Sequence, residues 1–314
     1  MPIQFVLGPA GSGKTEYLLN NLIKCSMENP DLNYFYIVPE QFTMEAQRDI
    51  VTMHPRHGSM NIDAIGLNRL AYRIFDELSV NPGQVMEDFG KSMLVQKILM
   101  EEKDNLLVYG SYLGKMGFVD EMKSMISELF QYAVDETAIS DAMDQMDRDS
   151  SVYRKLHDVR LIYDRFEEYN RNDRYIVAEQ LSELLADNVE RSHILADSHL
   201  YFDGFTGFTP VQMKLIRKLM RCARSVTFAF AIDKSSISMA KPKEYELFRL
   251  TRETMISLCN AAVEEHVDIT DNIVMDEDVP YRFRENRELA ELQRNLFRYP
   301  HGKVSGNPEN IRLI

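Results

Sequence analysis

An eight-residue motif directly after the first strand-like segment constrains this chain more than any other feature. Gly8-Pro-Ala-Gly-Ser-Gly-Lys-Thr15 matches the pattern G-x-x-x-x-G-K-[S/T] in full. It follows the apolar run Ile3–Leu7 and opens an amphipathic segment that predicts a helix, which is the context the motif requires. Glycines let backbone N–H groups turn toward phosphate oxygens, and the helix N-terminus adds positive potential. That context disfavours the alternative of a glycine-rich turn without a ligand.

The motif predicts a site for ATP and Mg²⁺. The side chain of Lys14 is expected to reach the β- and γ-phosphates, and the hydroxyl of Thr15 to bind the metal ion. The predicted ATP-binding residues are Gly8, Pro9, Ala10, Gly11, Ser12, Gly13, Lys14 and Thr15.

Such a site also needs a second magnesium ligand, an aspartate at the end of a neighbouring strand. Asp203 and Asp233 each follow a strand-like segment. We favour Asp203 because Gly204 and a loop follow it, which places it where ligands bind in α/β sheets. Thr15 and Asp203 are therefore the predicted metal ligands, and Asp233 is the alternative to Asp203.

The residue after Asp203 bears on ATP hydrolysis. Many P-loop motors have a glutamate there, which positions or deprotonates the attacking water. General-base catalysis of this kind contributes about 100- to 10,000-fold. Because Gly204 has no side chain, we expect ATP to be held with little or no hydrolysis, and we assign no catalytic residue.

Composition narrows the class of protein. Acidic residues outnumber basic ones by 49 to 36, and the net charge of -13 argues against a non-specific nucleic-acid binder. The sequence has no apolar run of about 18 residues, so no membrane span is predicted. The first residues lack the basic segment of a signal peptide. Cys25, Cys222 and Cys259 stand far apart, as expected of buried thiols in a reducing compartment. We expect a cytoplasmic globular protein.

Hydrophobic periodicity predicts an α/β fold with a parallel P-loop sheet flanked by helices and interrupted by an all-helical insertion. Strands alternate with helices over 1–78 and again over 194–235, as in parallel βαβ units. Residues 79–193 have apolar side chains at helical spacing, and their 13 basic and 23 acidic residues give a net charge of -10. Residues 236–314 predict a helical extension with an acidic linker at 268–278, followed by the start of a truncated second domain.

Four segments carry a resemblance to a known family: Phe5–Thr15, Tyr36–Gln41, Ile65–Phe75 and Tyr201–Gln212. Their order and spacing match superfamily 1 helicase motifs I, Ia, Ib and II. With them the chain resembles the N-terminal region of the B subunit of AddAB-type ATP-dependent helicase/deoxyribonucleases. The resemblance implies a RecA-like 1A domain, with the helical block in the place of the 1B insertion.

The fourth segment departs from the motif of active helicases, D-E-[FY]-Q-D-T-x-x-x-Q. Asp203, Phe205 and Gln212 match it, whereas Gly204, Thr206 and Gly207 replace the glutamate, the first glutamine and the second aspartate. The family shares this erosion. The resemblance therefore implies an inactivated motor that keeps its nucleotide site, while the A subunit of the heterodimer supplies translocation.

The resemblance also implies parts that this chain does not contain. Complete B subunits continue through a second RecA-like domain, which brings an arginine to the γ-phosphate, and end in a nuclease domain with a 4Fe–4S cluster. The three cysteines do not lie at the cluster positions. We expect 310–314 to be the first strand of the second domain, cut short. The implied role is repair of DNA double-strand breaks, through Chi-regulated end resection by the whole complex.

DNA contacts are predicted by position in motifs Ia and Ib. Gln41, Asn68 and Arg69 would face the DNA channel, with Tyr72 and Arg73 nearby. Ordinary surface and core roles explain these residues equally well. A second basic cluster, which suits a phosphate-facing surface, a subunit interface or simple solubility, comprises Arg217, Lys218, Arg221 and Arg224.

Two other functions stay open at this stage. A self-sufficient P-loop kinase or NTPase acting on a small molecule would use Asp233 or a carboxylate of the insertion as its base. A scaffold with a vestigial P-loop would bind no nucleotide.

Overall fold

The structure is a computed structural model that describes residues 2–113, 115, 117–173, 175–277, 279–298 and 311. Contacts divide the chain into two compact units. The first comprises Met1–Leu70, Val189–Phe208 and Ile216–Ile314, and the second comprises Ala71–Asn188 and Thr209–Leu215. The segment after residue 235 thus groups with the first unit. Apart from Ile311, the strand predicted at 310–314 lies outside the described residues.

Strands and helices alternate along the first unit, and helices dominate the second. The strands are β1 (Pro2–Gly8), β2 (Asn33–Ile37), β3 (Ile62–Ile65), β4 (Gln84–Met86), β5 (Tyr175–Val177), β6 (Ser198–Phe202), β7 (Ser225–Ala231), β8 (Asp268–Ile269) and β9 (Ile273–Val274). The α-helices are α1 (Lys14–Glu28), α2 (Thr43–Met53), α3 (Leu67–Leu78), α4 (Asp88–Glu101), α5 (Phe118–Gln131), α6 (Glu136–Asp144), α7 (Ser151–Asp173), α8 (Ala178–Asn188), α9 (His193–Ala196), α10 (Pro210–Cys222), α11 (Arg249–Glu264) and α12 (Arg287–Asn295).

A parallel sheet of seven strands forms the centre of the first unit, so the predicted α/β class is confirmed. Its strand order is β3-β2-β6-β7-β1-β8. The seventh strand, β9, also pairs with β1. All pairings in this sheet are parallel. Strands of parallel sheets are buried on both faces, which explains why consecutive residues of β2 and β7 are buried. The carboxyl ends of β1, β2 and β6 therefore share one edge.

Stacked aromatic rings hold the middle of the sheet together. The ring of Phe228 on β7 stacks on that of Phe5 on β1, with centroids 5.9 Å apart, and on that of Phe202 on β6, at 4.9 Å. All three side chains are buried. Because Phe202 directly precedes Asp203, this packing fixes the end of β6 and therefore the position of Asp203.

The acidic segment predicted as a linker in fact supplies two edge strands. Two-residue β8 and β9 both pair with β1. The N–H of Thr270 donates to the carbonyl of Ile3 at 2.9 Å, and that of Met275 donates to the carbonyl of Leu7 at 2.7 Å. This pairing satisfies backbone groups on the side of β1 that does not face β7. The acidic composition of the segment gives no sign of such strands.

The second unit contains most of the predicted helical insertion, up to Asn188, with one exception to its predicted all-helical character. β4 and β5 form a two-stranded parallel sheet, with Val85 opposite Ile176. The β-branched and aromatic residues Val85, Tyr175, Ile176 and Val177 favour this short pairing. Helices α4 to α7 pack around an apolar core that includes Ile98, Ile126 and Phe166. Within the described residues, no helix is both long and apolar enough to cross a membrane.

Candidate nucleotide-binding site

The loop between β1 and α1 has the backbone geometry of a phosphate-binding loop. Gly11 and Gly13 have φ angles of 76° and 94°, in the left-handed region that glycine adopts without strain. Gly13 is the N-cap of α1, so the start of the helix directly follows the loop. A Cβ atom at Gly8 would lie 2.6 Å from Ser12 Oγ and 2.9 Å from the carbonyl of Met275. Sterics therefore require the first glycine as well.

Lys14 folds back over this loop. Its Nζ donates hydrogen bonds to the carbonyls of Gly8, at 2.9 Å, and Pro9, at 2.8 Å. Burial lowers the pKa of Lys14 to about 8; the Asp203 carboxylate acts in the opposite direction, and the Arg282 guanidinium lowers the pKa further. The ammonium is thus held at the loop, where it is able to exchange these carbonyls for phosphate oxygens.

The structure brings the two predicted magnesium ligands together. The hydroxyl of Thr15 donates to Asp203 Oδ2 at 2.6 Å, and the hydroxyl of buried Tyr36 donates to the same oxygen at 2.7 Å. The backbone N–H of Gly204 donates to Oδ1 at 2.8 Å. Asp233, the alternative, forms an ion pair with Arg298 instead.

Thr15 and Asp203 fit a magnesium ion by the chemistry of their donors. Mg²⁺ prefers oxygen ligands and is bound through one or two carboxylates, substrate phosphates and several waters. A hydroxyl and a carboxylate in direct contact beside a phosphate loop match that pattern. Among the residues that the structure describes, no three carboxylate, imidazole or thiol side chains form a metal cage. In magnesium sites of the nucleotide type, phosphate oxygens and water molecules supply the remaining ligands.

Two cavities lie along this constellation. The larger, of about 420 Å³, is lined by the loop from Gly11 to Thr15 and by Tyr281. The smaller, of about 240 Å³, contains Tyr36, Asp203 and Gly204. The residues lining both are Thr15, Leu19, Asp49 and Arg282. The cavity beside the loop and the cavity beside Asp203 thus share part of their walls.

Sequence reasoning missed a short turn that lies against the phosphate loop. In the 3-10 turn Tyr281–Phe283, the N–H of Arg282 donates to the carbonyl of Gly11 at 2.9 Å. A Cβ atom at Gly11 would lie 2.9 Å from the ring of Phe283. The turn follows β9, whose pairing with Val6 and Leu7 leads the chain to this end of β1. Arg282 thus places a positive charge in the cavity, and this residue belongs to the present chain and not to a second domain.

The predicted DNA-binding residues lie at the carboxyl ends of neighbouring strands β2 and β3. Gln41 is exposed in the turn after β2, and Asn68 and Arg69 begin α3, half-buried and exposed respectively. Oε1 of Glu40 accepts the backbone N–H of Asn68 at 3.3 Å, which joins the two segments. Tyr72 and Arg73, further along α3, are also exposed.

Ion pairs compensate the second basic cluster. Arg217 pairs with Glu264. Arg224 lies 2.8 Å from Asp197, and Arg221 contacts Glu190 and Glu265 at 3.7 and 3.5 Å. Lys218, the fourth residue of the cluster, also has an interaction partner. The cluster therefore does not form an uncompensated basic patch.

The parallel sheet, the complete loop motif and the aspartate at the end of β6 together define a protein of the P-loop α/β class. Comparison with known families narrows this class. The family model described as ADDB, N-terminal, matches residues 5–293. The chain therefore belongs to the AddB N-terminal family.

Curated relatives match the chain along its whole length. It is 38% identical over 316 residues to the B subunit of the ATP-dependent helicase/deoxyribonuclease of Lachnoclostridium phytofermentans. It is 32% identical over 314 residues to the B subunit of the same name from Caldanaerobacter subterraneus subsp. tengcongensis, and 28% identical to that of Alkaliphilus metalliredigens. The chain spans 27% of the length of each of these relatives.

Proposed function

We propose that this chain is the nucleotide-binding, motor-derived region of a helicase/deoxyribonuclease B subunit, and that it binds ATP with Mg²⁺ through Gly8–Thr15 and Asp203. One observation carries the proposal: Lys14 Nζ lies on the carbonyls of the loop while Thr15 contacts Asp203, 188 residues away in sequence. Such an arrangement suits β- and γ-phosphates and a magnesium ion. Arg282 adds a second positive charge to the same cavity.

Binding without turnover is the expected chemistry of this site. The position where many P-loop motors have a water-activating glutamate is Gly204, with a φ of 79°. An L-residue there is strained, and its Cβ would face Pro39 Cδ at 3.4 Å. Mg²⁺ would neutralise phosphate charge, and Lys14 and Arg282 would hold the phosphates. No side chain at 204 activates water, so ATP acts as a structural ligand.

In the complete complex, we infer that this region contributes to a DNA channel with the A subunit and to Chi-regulated end resection. Two observations support this inference. The relatives are named as B subunits of an ATP-dependent helicase/deoxyribonuclease. Gln41, Asn68 and Arg69 lie at the same sheet edge as the nucleotide site.

Isothermal titration with Mg-ATP tests the nucleotide site. We expect saturable binding by the wild type and loss of at least about tenfold in affinity in Lys14→Ala, because a charge-assisted contact to phosphate is worth about 1.5–3 kcal/mol. Lys24→Ala is the matched control, since Lys24 is an exposed lysine near the other end of α1. Equal affinity in wild type and Lys14→Ala, or no binding by the wild type, would refute the site and favour a vestigial loop.

A further inference from the structure

The smaller cavity has more carboxylates than a phosphate loop and its magnesium aspartate require. Glu45 and Asp49 of α2 line it together with Asp203. They stand four residues apart, so they share one face of the helix. Asp49 also lines the larger cavity beside the loop. A carboxylate at the junction of a triphosphate cavity and a magnesium site would repel the phosphates and attract the cation.

Direct coordination by Asp49 does not fit the geometry. Asp49 Oδ1 already accepts a hydrogen bond from Arg48 at 3.3 Å, and its side chain is 37% exposed. Asp49, Glu45 and Asp203 are not grouped closely enough to form a cage. Mg²⁺ dehydrates reluctantly and keeps several waters in nucleotide sites. Carboxylates at the walls of such a cavity are suited to accept hydrogen bonds from those waters.

Asp49 borders the same space as both predicted metal ligands. Thr15 and Asp49 line both cavities, and Asp203 lines the smaller one with them. Tyr36, whose hydroxyl donates to Asp203 Oδ2, is part of the same wall. A hydrated ion held by Thr15 and Asp203 would therefore lie in a cavity that Asp49 lines.

We propose that Asp49 is a positioning residue of the nucleotide site, which accepts hydrogen bonds from water molecules bound to Mg²⁺ and so orients the hydrated ion between the phosphates and Asp203. Glu45, one turn earlier, lines the same smaller cavity and adds negative potential. This inference rests on the proposed nucleotide site and names the residue that tunes its metal dependence. It assigns to α2 a role in metal binding that the loop motif and Asp203 do not include.

Asp49→Asn separates this role from a general effect on folding. The variant removes one negative charge at nearly unchanged volume, on a partly exposed side chain. At fixed ATP, we expect the Mg²⁺ concentration for half-maximal stimulation of nucleotide binding to rise by about tenfold, the lower end of the effect of losing an outer-shell partner. In EDTA, ATP affinity should be equal or higher, because a charge that repels phosphate has gone.

Glu28→Gln provides the matched control. It removes the same charge at the far end of α1, where Glu28 forms an exposed ion pair with Lys24 at 4.0 Å. We expect its magnesium midpoint to equal that of the wild type. Asp49→Glu keeps the carboxylate and should stay close to the wild type as well.

The outcomes distinguish this inference from the proposed function. If the wild type binds ATP and Asp49→Asn has an unchanged magnesium midpoint, the role of Asp49 is refuted while the site stands. If Asp49→Asn loses ATP affinity equally in EDTA and in magnesium, Asp49 is structural and the inference is wrong. Absence of ATP binding by the wild type refutes the proposed function itself.

Discussion

Gly204 illustrates how one backbone conformation decides what a site is able to do. It has a φ of 79°, and its N–H donates to Asp203 Oδ1 at 2.8 Å. The same turn therefore holds Asp203, the proposed magnesium ligand, and excludes an unstrained side chain from the next position. A glutamate at this position would supply the carboxylate but would be strained by the positive φ of the backbone.

Gly204→Glu is accordingly expected not to restore ATP hydrolysis. The new side chain would start toward Pro39 and Phe42, whose atoms lie 3.4 and 3.8 Å from the Cβ position. Thr206 and Gly207 also lack the side chains of active motors at their positions. A steady-state ATPase assay of the variant should stay below about 1 per second, the slow end of typical enzymes. A faster rate would contradict this account, and Lys14→Ala in the same background shows whether any activity belongs to this site.

The sequence predicts some site residues and misses others for a physical reason. Asp203 was predictable because it directly follows a buried strand, and the end of a strand fixes where the next side chain lies. Arg282 was not, because its approach depends on the pairing of β9 with β1. Asp49 was not, because an acidic residue on a helix suggests a solvated face until the packing of α2 beside α1 is known.

At the scale of elements, a buried carboxylate anchors the loop between α4 and α5. Asp158 on α7 is fully buried. It accepts hydrogen bonds from the backbone N–H groups of Leu107 and Val108, both at 2.8 Å, and Tyr109, at 2.9 Å. One side chain thus satisfies three backbone donors that no helix or strand partner would satisfy.

Asp158→Asn should destabilise the second unit. An amide offers one acceptor oxygen, and its NH₂ group would face backbone donors, so at least one backbone N–H loses its partner at the buried end of the side chain. We expect the free energy of unfolding to fall by about 2–4 kcal/mol. Urea denaturation measures the loss, and Asp149→Asn is the control because the Asp149 side chain is 95% exposed. Equal loss in both variants would show that charge, and not hydrogen bonding, is responsible.

Short strands were the elements that the sequence predicted least well. β8 and β9 have two residues each, and β4 and β5 have three. A periodic pattern needs more residues than that to be distinguished from a loop or a helix end. These strands form because a neighbouring strand offers unpaired backbone groups, which is a property of the tertiary structure.

At the scale of the whole molecule, the charge is distributed in a way that limits nucleic-acid binding. Residues 79–193 contribute -10 of the net charge of -13, whereas 194–235 contribute +3 from six basic and three acidic residues. The structure shows that much of that positive charge is paired, as in the contacts of Arg217 and Arg224 with acidic side chains. Within 194–235, a segment that the structure describes throughout, few cations are thus left to neutralise phosphates.

This chain alone is therefore expected to bind single-stranded DNA weakly. At about 0.15 M salt we expect a dissociation constant above about 10 μM, within the range of non-specific binding. The slope of log K against log salt should be shallow, about -2 or smaller in magnitude, because each neutralised phosphate of a single strand contributes about 0.7. Fluorescence anisotropy with a labelled oligonucleotide measures both quantities.

Arg69→Ala assigns whatever binding is seen to the predicted channel residues. It should weaken binding and flatten the salt slope, because Arg69 is exposed at the start of α3. Arg154→Ala, which removes a half-exposed arginine of the second unit, is the control and should leave both unchanged. Submicromolar binding with a steep slope that Arg69→Ala does not alter would mean that a different surface binds DNA. In that case the acidic balance of the chain would be no guide to its affinity, and Gln41, Asn68 and Arg69 would not account for the binding.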